Sequence, residues 1–218
     1  MKKVLLYFLL IPFFSNSQIV NQVDHSGKKQ GTWSKKYKNG NIRYTGQFID
    51  DNAQGLFLYY YNSGELKAER KFFHNGKAAA THFYYKNGNL QSSGIYVNEL
   101  KDSTWNYFSR DSVLIMSEEY QQGQLNGSTK TFYNNGKIFE IKNWKNGLLD
   151  GKCKQFFIDG TVKLESIYKN NIRYGKQTLF YPNGRVSSSG IYVDDLRSGI
   201  WQFFDEEGKI DTLINYNE

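Results

Sequence analysis

Apolar and polar positions recur along this chain with a period of 24 residues and no insertion. Units begin at Gly31, Gly55, Ala79, Ser103, Gly127, Gly151, Gly175 and Gly199. The tenth position of each reads Gly40, Gly64, Gly88, Ser112, Gly136, Gly160, Gly184 and Gly208, preceded by Asn39, Ser63, Asn87, Asp111, Asn135, Asp159, Asn183 or Glu207. Two residues later comes an aliphatic column: Ile42, Leu66, Leu90, Leu114, Ile138, Val162, Val186 and Ile210. Six further on every unit has an aromatic: Phe48, Phe72, Tyr96, Tyr120, Trp144, Tyr168, Tyr192 and Tyr216. Ahead of the turn, the column Lys36, Tyr60, Tyr84, Phe108, Phe132, Phe156, Phe180 and Phe204 is aromatic everywhere but in the first unit. There, Lys36 reads as an end-cap substitution on a face with no preceding neighbour.

Asn-Gly or Asp-Gly between apolar runs is a strong hairpin signal, because glycine takes positive φ without steric cost. A two-residue loop would set the Tyr37 column opposite Ile42. A three-residue loop with the glycine as a left-handed bulge pairs the Lys36 and Tyr60 column with the aliphatic one instead, and is preferred because it joins the two most uniform hydrophobic columns. Strand parity then adds the Phe48 column, so one face carries a continuous aromatic and aliphatic stripe. A second, looser turn closes each unit, around Asp50-Asp51, Asn75-Gly76, Asn98-Glu99, Gln122-Gly123, Asn146-Gly147, Asn170-Asn171 and Asp194-Asp195. The fold class is therefore all-β: an elongated antiparallel meander of about eight 24-residue hairpins, forming a twisted single-layer sheet. About sixteen strands at ~4.8 Å make a ribbon on the order of 75 Å long before twist.

Several units resemble a known repeat. Tyr44-Thr45-Gly46-Gln47-Phe48, then Gly55 and Tyr61-Asn62-Ser63-Gly64, follow the MORN rhythm, and Trp144-Lys145-Asn146-Gly147, Gly151 and Phe157-Ile158-Asp159-Gly160 follow it more closely. Residues 31–218 resemble the bacterial MORN variant, which occurs in exported proteins and in a family labelled YwqK-type antitoxins. The resemblance implies a β-hairpin array acting in protein interaction or scaffolding. The chain departs from the eukaryotic pattern where the second glycine of Gly-x-Gly is replaced by Trp33, Phe57, Thr81, Trp105, Thr129, Cys153, Gln177 and Trp201.

The first residues change where this array is expected to work. Lys2 and Lys3, the apolar run Val4–Phe14, and Ser15 and Ser17 before Gln18 form an export signal. The run is too short for a membrane span, and no cysteine follows it to accept a lipid. The expected organisation is a signal peptide at 1–17, a lead-in or partial repeat at 18–30 and the array at 31–218, placing the chain in the periplasm or outside the cell. Net charge is +7, with basic residues scattered singly, a pattern of solubility rather than nucleic-acid binding. Cys153 is the lone cysteine, so no internal disulfide can form and stability rests on packing.

Candidate chemistry is sparse. Asp24-His25-Ser26 holds triad residue types, but consecutive residues cannot form a relay that comes from separated segments. His74 and His82 fall in different columns without a carboxylate or thiol cluster at metal spacing. The carboxylate pairs Asp50-Asp51, Glu118-Glu119, Asp194-Asp195 and Glu206-Glu207 are adjacent and mostly in turns, whereas acid–base work needs two facing one site. Lys35-Lys36-Tyr37 has the look of a single-strand-binding surface, but reads as a solvated strand face. Neither enzyme activity, cofactor nor metal is expected. The candidate interaction face is the row Tyr37, Tyr61, Tyr85, Tyr133, Phe157 and Tyr181, which faces away from the stripe. An exposed row of this kind binds sugars or a partner strand, while packing across a twisted sheet is the plainer reading. The expected function is that of an exported interaction or scaffold module at the cell envelope. Its partner would be a protein or an envelope glycan, and an antitoxin-like component is the remaining alternative.

Overall fold

A computed structural model describes residues 20–217, so the proposed signal peptide lies outside the described residues. The described chain is all strand and turn. Each repeat is one hairpin: Lys29–Lys36 with Ile42–Ile49, Asn52–Tyr60 with Leu66–Phe73, Ala78–Tyr84 with Leu90–Val97, and Leu100–Phe108 with Leu114–Gln121. The second half continues with Gln124–Phe132 and Ile138–Lys145, Gly151–Phe156 and Val162–Lys169, Gly175–Phe180 and Val186–Val193, and Leu196–Phe204 and Ile210–Asn215. Two-residue strands Leu148–Leu149 and Ile172–Arg173 precede the sixth and seventh hairpins, and Gln22–Val23 from the lead-in pairs with the first. Every pairing is antiparallel between neighbours in sequence, giving one open sheet.

The hairpin turns are as the three-residue loop requires. Lys36 pairs with Ile42 and Tyr60 with Leu66. Tyr37 N–H donates to Asn41 O and Gly40 N–H to Tyr37 O, with Gly40 at φ +90°. Ser112 holds the same place at φ +63°, where a side chain is strained.

The connecting turns are tight rather than loose, except that around Asn75-Gly76, where four residues separate Phe73 from Ala78. Ile49 pairs with Asn52 across Asp50-Asp51, and Val97 with Leu100 across Asn98-Glu99. Both central residues have positive φ, as a type I′ turn demands. Short Asp and Asn side chains tolerate that conformation best, which explains their concentration there.

The stripe inferred from parity is split between the two faces. A bulge between Lys35 and Lys36 sets Lys35 opposite Tyr44 while Lys36 stays opposite Ile42, so the strand changes phase beside every hairpin turn. The Tyr60 and Leu66 columns therefore lie on the back face, and the Phe48 column lies on the inner face with Trp33, Phe57, Trp105 and Trp201.

Burial concentrates on the inner face. Two extra residues at the start of the second repeat and of the fourth to the eighth, as between Thr45–Leu58 and Gln47–Gln54, bulge the strand and coil the sheet. The bulge swings one aromatic over the preceding repeat: Phe57 over Gly46, Trp105 over Gly94 and Trp201 over Gly190, where any Cβ would overlap the ring. Trp105 and Trp201 are 1% and 0% exposed, and their Nε1–H groups donate to Ile95 O and Ile191 O. Gly94→Ala should overpack this contact and cost about 1–3 kcal/mol, measured as a lower urea midpoint; an unchanged midpoint refutes the contact. Ser112→Gly should raise stability by about 1 kcal/mol, by relieving left-handed strain, and a melting curve no higher than wild type refutes that.

Candidate interaction site

The tyrosine row sits at the hairpin tips, on the margin of the inner face, half-buried throughout. Each phenol donates to a backbone carbonyl of the following repeat: Tyr37 to Tyr60, Tyr61 to Tyr84, Tyr85 to Phe108, Tyr133 to Phe156 and Tyr181 to Phe204, at 2.7–2.9 Å. Phe157 keeps the ring without the hydroxyl. Ser109 and Asp205, elsewhere in the column, accept N–H groups of their own turns instead. Turn side chains add to the ladder, as Asn39 and Asn41 both donate to Asn62 O. The row is thus a set of clasps between repeats. Arg43 lies over the Tyr37 ring and Lys163 over Phe157, while Lys67 and Lys86 both approach Tyr61.

Cations cap the buried aromatic column. Lys29 lies over Trp33 and Phe48, Lys101 over Trp105, Tyr107 and Tyr120, and Arg197 over Trp201, Phe203 and Tyr216. Lys101 Nζ also donates to Tyr107 Oη, while Tyr120 donates to Glu118. Burial, reinforced by Glu118, pushes the Tyr107 phenol above its ordinary range. Where the column lacks a large aromatic, space opens. A cavity of about 330 Å³ lies by Thr81, walled by Tyr59, Ala68, Arg70, Phe83, Tyr96 and Glu99. A second, of about 200 Å³, lies along Cys153, Ser166, Lys176 and Thr178. Burial raises the Cys153 thiol, so the protonated, unreactive form is favoured.

The remaining candidates are held by their own turns and ladders. Asp24 accepts N–H groups from Lys28 and Ser26 and the Gln30 amide, contacts that hold its carboxyl below the usual range. It shapes the lead-in turn beside His25. His74 stands in the connecting loop at φ +49° against Phe73, and His82 points outward from a strand between Glu69 and Ser93. Asp51 accepts Lys29 N–H, Asp195 accepts Arg173 N–H, and Glu119 accepts Ser128 N–H. Glu206 receives Asn183 at its carbonyl. Gln30 draws Asp24 and Asp50 together by donating to both, and among the described residues no three histidine, cysteine or carboxylate side chains gather where they could hold a metal.

The sequence reading missed the cavity beside Arg70. Its signal lies in two columns: Arg70 occupies that of Gly46, Gly94 and Gly190, where Glu118, Lys142 and Ser166 also depart from glycine, and Thr81 that of Phe57, Trp105 and Trp201, where Thr129, Cys153 and Gln177 also lack a ring. Tyr133→Phe should remove one clasp and leave Phe156 O short of a donor, costing about 1 kcal/mol. Chemical denaturation reads that loss, and wild-type stability would show that the hydroxyl does not hold the repeats together.

A family model described as the MORN repeat variant matches residues 29–50, 53–75, 83–98, 125–146 and 197–218. No curated protein matches the chain. Among solved structures, a crystal structure of TarM is 13% identical over 54% of this chain and 20% of its own, with a TM-score of 0.27. The Tc holotoxin pore of Photorhabdus luminescens is 11% identical over 84% of this chain and 14% of its own, with a TM-score of 0.18. The chain spans a fifth or less of the length of either, and neither likeness bears on what it does. The hairpins between the matched stretches keep the same register, Phe108 on Leu114, Phe156 on Val162 and Phe180 on Val186. The chain is a MORN-variant repeat protein.

Proposed function

We propose that this chain is an exported, non-enzymatic interaction module of the cell envelope, which binds a partner protein across the back face of its sheet. The observation that carries this reading is an apolar surface left uncovered. Exposed aliphatic side chains gather on the side opposite the buried aromatics in the last repeats, where Ile191, Val193, Leu196, Ile200 and Leu213 stand together, with Leu196 and Ile200 72% and 61% exposed. A smaller group, Ile49, Leu56, Val97 and Leu100, lies on the same face in the first repeats, and lysines stand in matching columns between them. Scattered apolar residues are ordinary on a surface, but a cluster on one face marks an interaction site. Stacked repeats offer such a cluster as an open surface instead of a cleft. The basic start, apolar run and Ser15-x-Ser17 exit support export.

The test is capture of a partner from envelope extract by the mature chain, compared with an Ile191→Ser, Leu196→Ser, Ile200→Ser variant. Loss of the captured protein with β-sheet circular dichroism intact is expected; equal capture by the folded variant refutes the back face as the site. Mass spectrometry should find a chain beginning at Gln18 outside the cytosol, and an intact Met1 end confined to the cytosol refutes export.

A further inference from the structure

The boundary between the second and third repeats differs in four places from the boundaries that pack a ring over glycine. Arg70 and Thr81 stand where those have Gly46 with Phe57, Gly94 with Trp105 and Gly190 with Trp201, and Ala79 replaces the repeat's first glycine. Glu99 stands at φ +61° in a turn position where Asp51, Asn171 and Asp195 are found elsewhere, a conformation costly for a long side chain. Arg70 and Glu99 line the 330 Å³ cavity, and Thr81 is the strand partner of Arg70.

The guanidinium of Arg70 is stacked against the rings of Phe72 and Tyr96, with its carbon 4.8 and 5.1 Å from their centres. Its side chain is 17% exposed. Nη2 donates to both oxygens of Glu99 at 3.2 Å, whereas buried Nε meets no acceptor among the described residues. Glu99 therefore uses one nitrogen of a donor edge built for two. A carboxylate that displaces Glu99 can take Nε and Nη2 together, the paired geometry that makes arginine selective for carboxylates. Glu99 is 71% exposed and free to swing into solvent when displaced. Tyr59, Phe83 and Tyr96 supply aromatic walls, and the volume sits at the small end of ligand pockets.

We propose that this cavity binds a carboxylate carried on a single six-membered ring, with Arg70 receiving the carboxylate, the three aromatic residues enclosing the ring and Glu99 acting as an internal competitor. The proposal is independent of the back-face reading, since the cavity opens on the inner face.

The test titrates the full chain with benzoate (a flat ring) and, separately, with glucuronate (a sugar ring), following nuclear magnetic resonance signals. The Trp105 indole is the reporter, because it lies 4.8 Å from the Tyr96 ring and 6.4 Å from Phe83. Saturable shifts with either ligand are expected, with tighter binding in Glu99→Gln. Arg70→Met should weaken binding about tenfold or more, as loss of charge-assisted hydrogen bonds implies. Should Arg70→Met fail to fold, Arg70→Gln decides the matter: it keeps a polar side chain opposite Thr81 without the charge or the paired donor edge, and should fold with binding weakened to the same extent. Absence of binding by both wild type and Glu99→Gln overturns the proposal, as does wild-type affinity in a folded variant lacking Arg70.

Discussion

A single sheet has no second layer to close over its side chains, so any aromatic it buries must be buried against its own neighbours. The two extra residues at the start of most repeats meet that constraint. They bend the strand so that one ring, from Phe57, Trp105 or Trp201, lies flat over the backbone of the repeat before it. The space is available only because Gly46, Gly94 and Gly190 have no side chain. The tight connecting turns, the cation caps and the edge-on contacts of Phe48, Tyr96 and Tyr192 are arranged around that ring.

Much of this was legible in the chain itself. The glycine column dictated where positive φ occurs, and positive φ dictated the pairing of Lys36 with Ile42. The faces were not legible by parity, because the bulge beside Lys35 shifts the phase by one residue and sends the Ile42 and Phe48 columns to opposite sides. Alternation is a reliable guide only in an uninterrupted ladder. The tightness of the second turn was written in Asp50-Asp51 and Asn170-Asn171, both pairs tolerant of positive φ, which the expectation of a looser loop did not use. The reciprocal relation between glycine and ring was present as well: Gly94 precedes Trp105 by the same interval at which Arg70 precedes Thr81.

The irregular boundary follows from the same constraint. Ala79 does not enter the positive-φ region, so the bulge cannot form there. The two extra residues move into the connection, which lengthens to span His74 to Lys77 between Phe73 and Ala78, and the pairing beyond runs without a shift. Without a bulge no ring is swung across, and Thr81 in that place is 1% exposed but small. Arg70 then occupies what a glycine elsewhere leaves to a neighbour, braced by Phe72 and Tyr96.

Such a departure is tolerated because the repeats are joined twice. At the tips, Tyr61 still donates to Tyr84 O at 2.8 Å across the irregular boundary, as its counterparts do across the regular ones. That clasp uses backbone carbonyls and is indifferent to what fills the middle of the sheet. Stability in a stacked array is close to a sum of neighbouring interfaces, so a weakened centre at one boundary is offset locally and does not propagate. The middle columns are therefore free to differ from repeat to repeat, while every hairpin turn keeps one register. A binding site in this architecture is to be sought where a middle column breaks its rule between intact tips, and Arg70 opposite Thr81 is such a place.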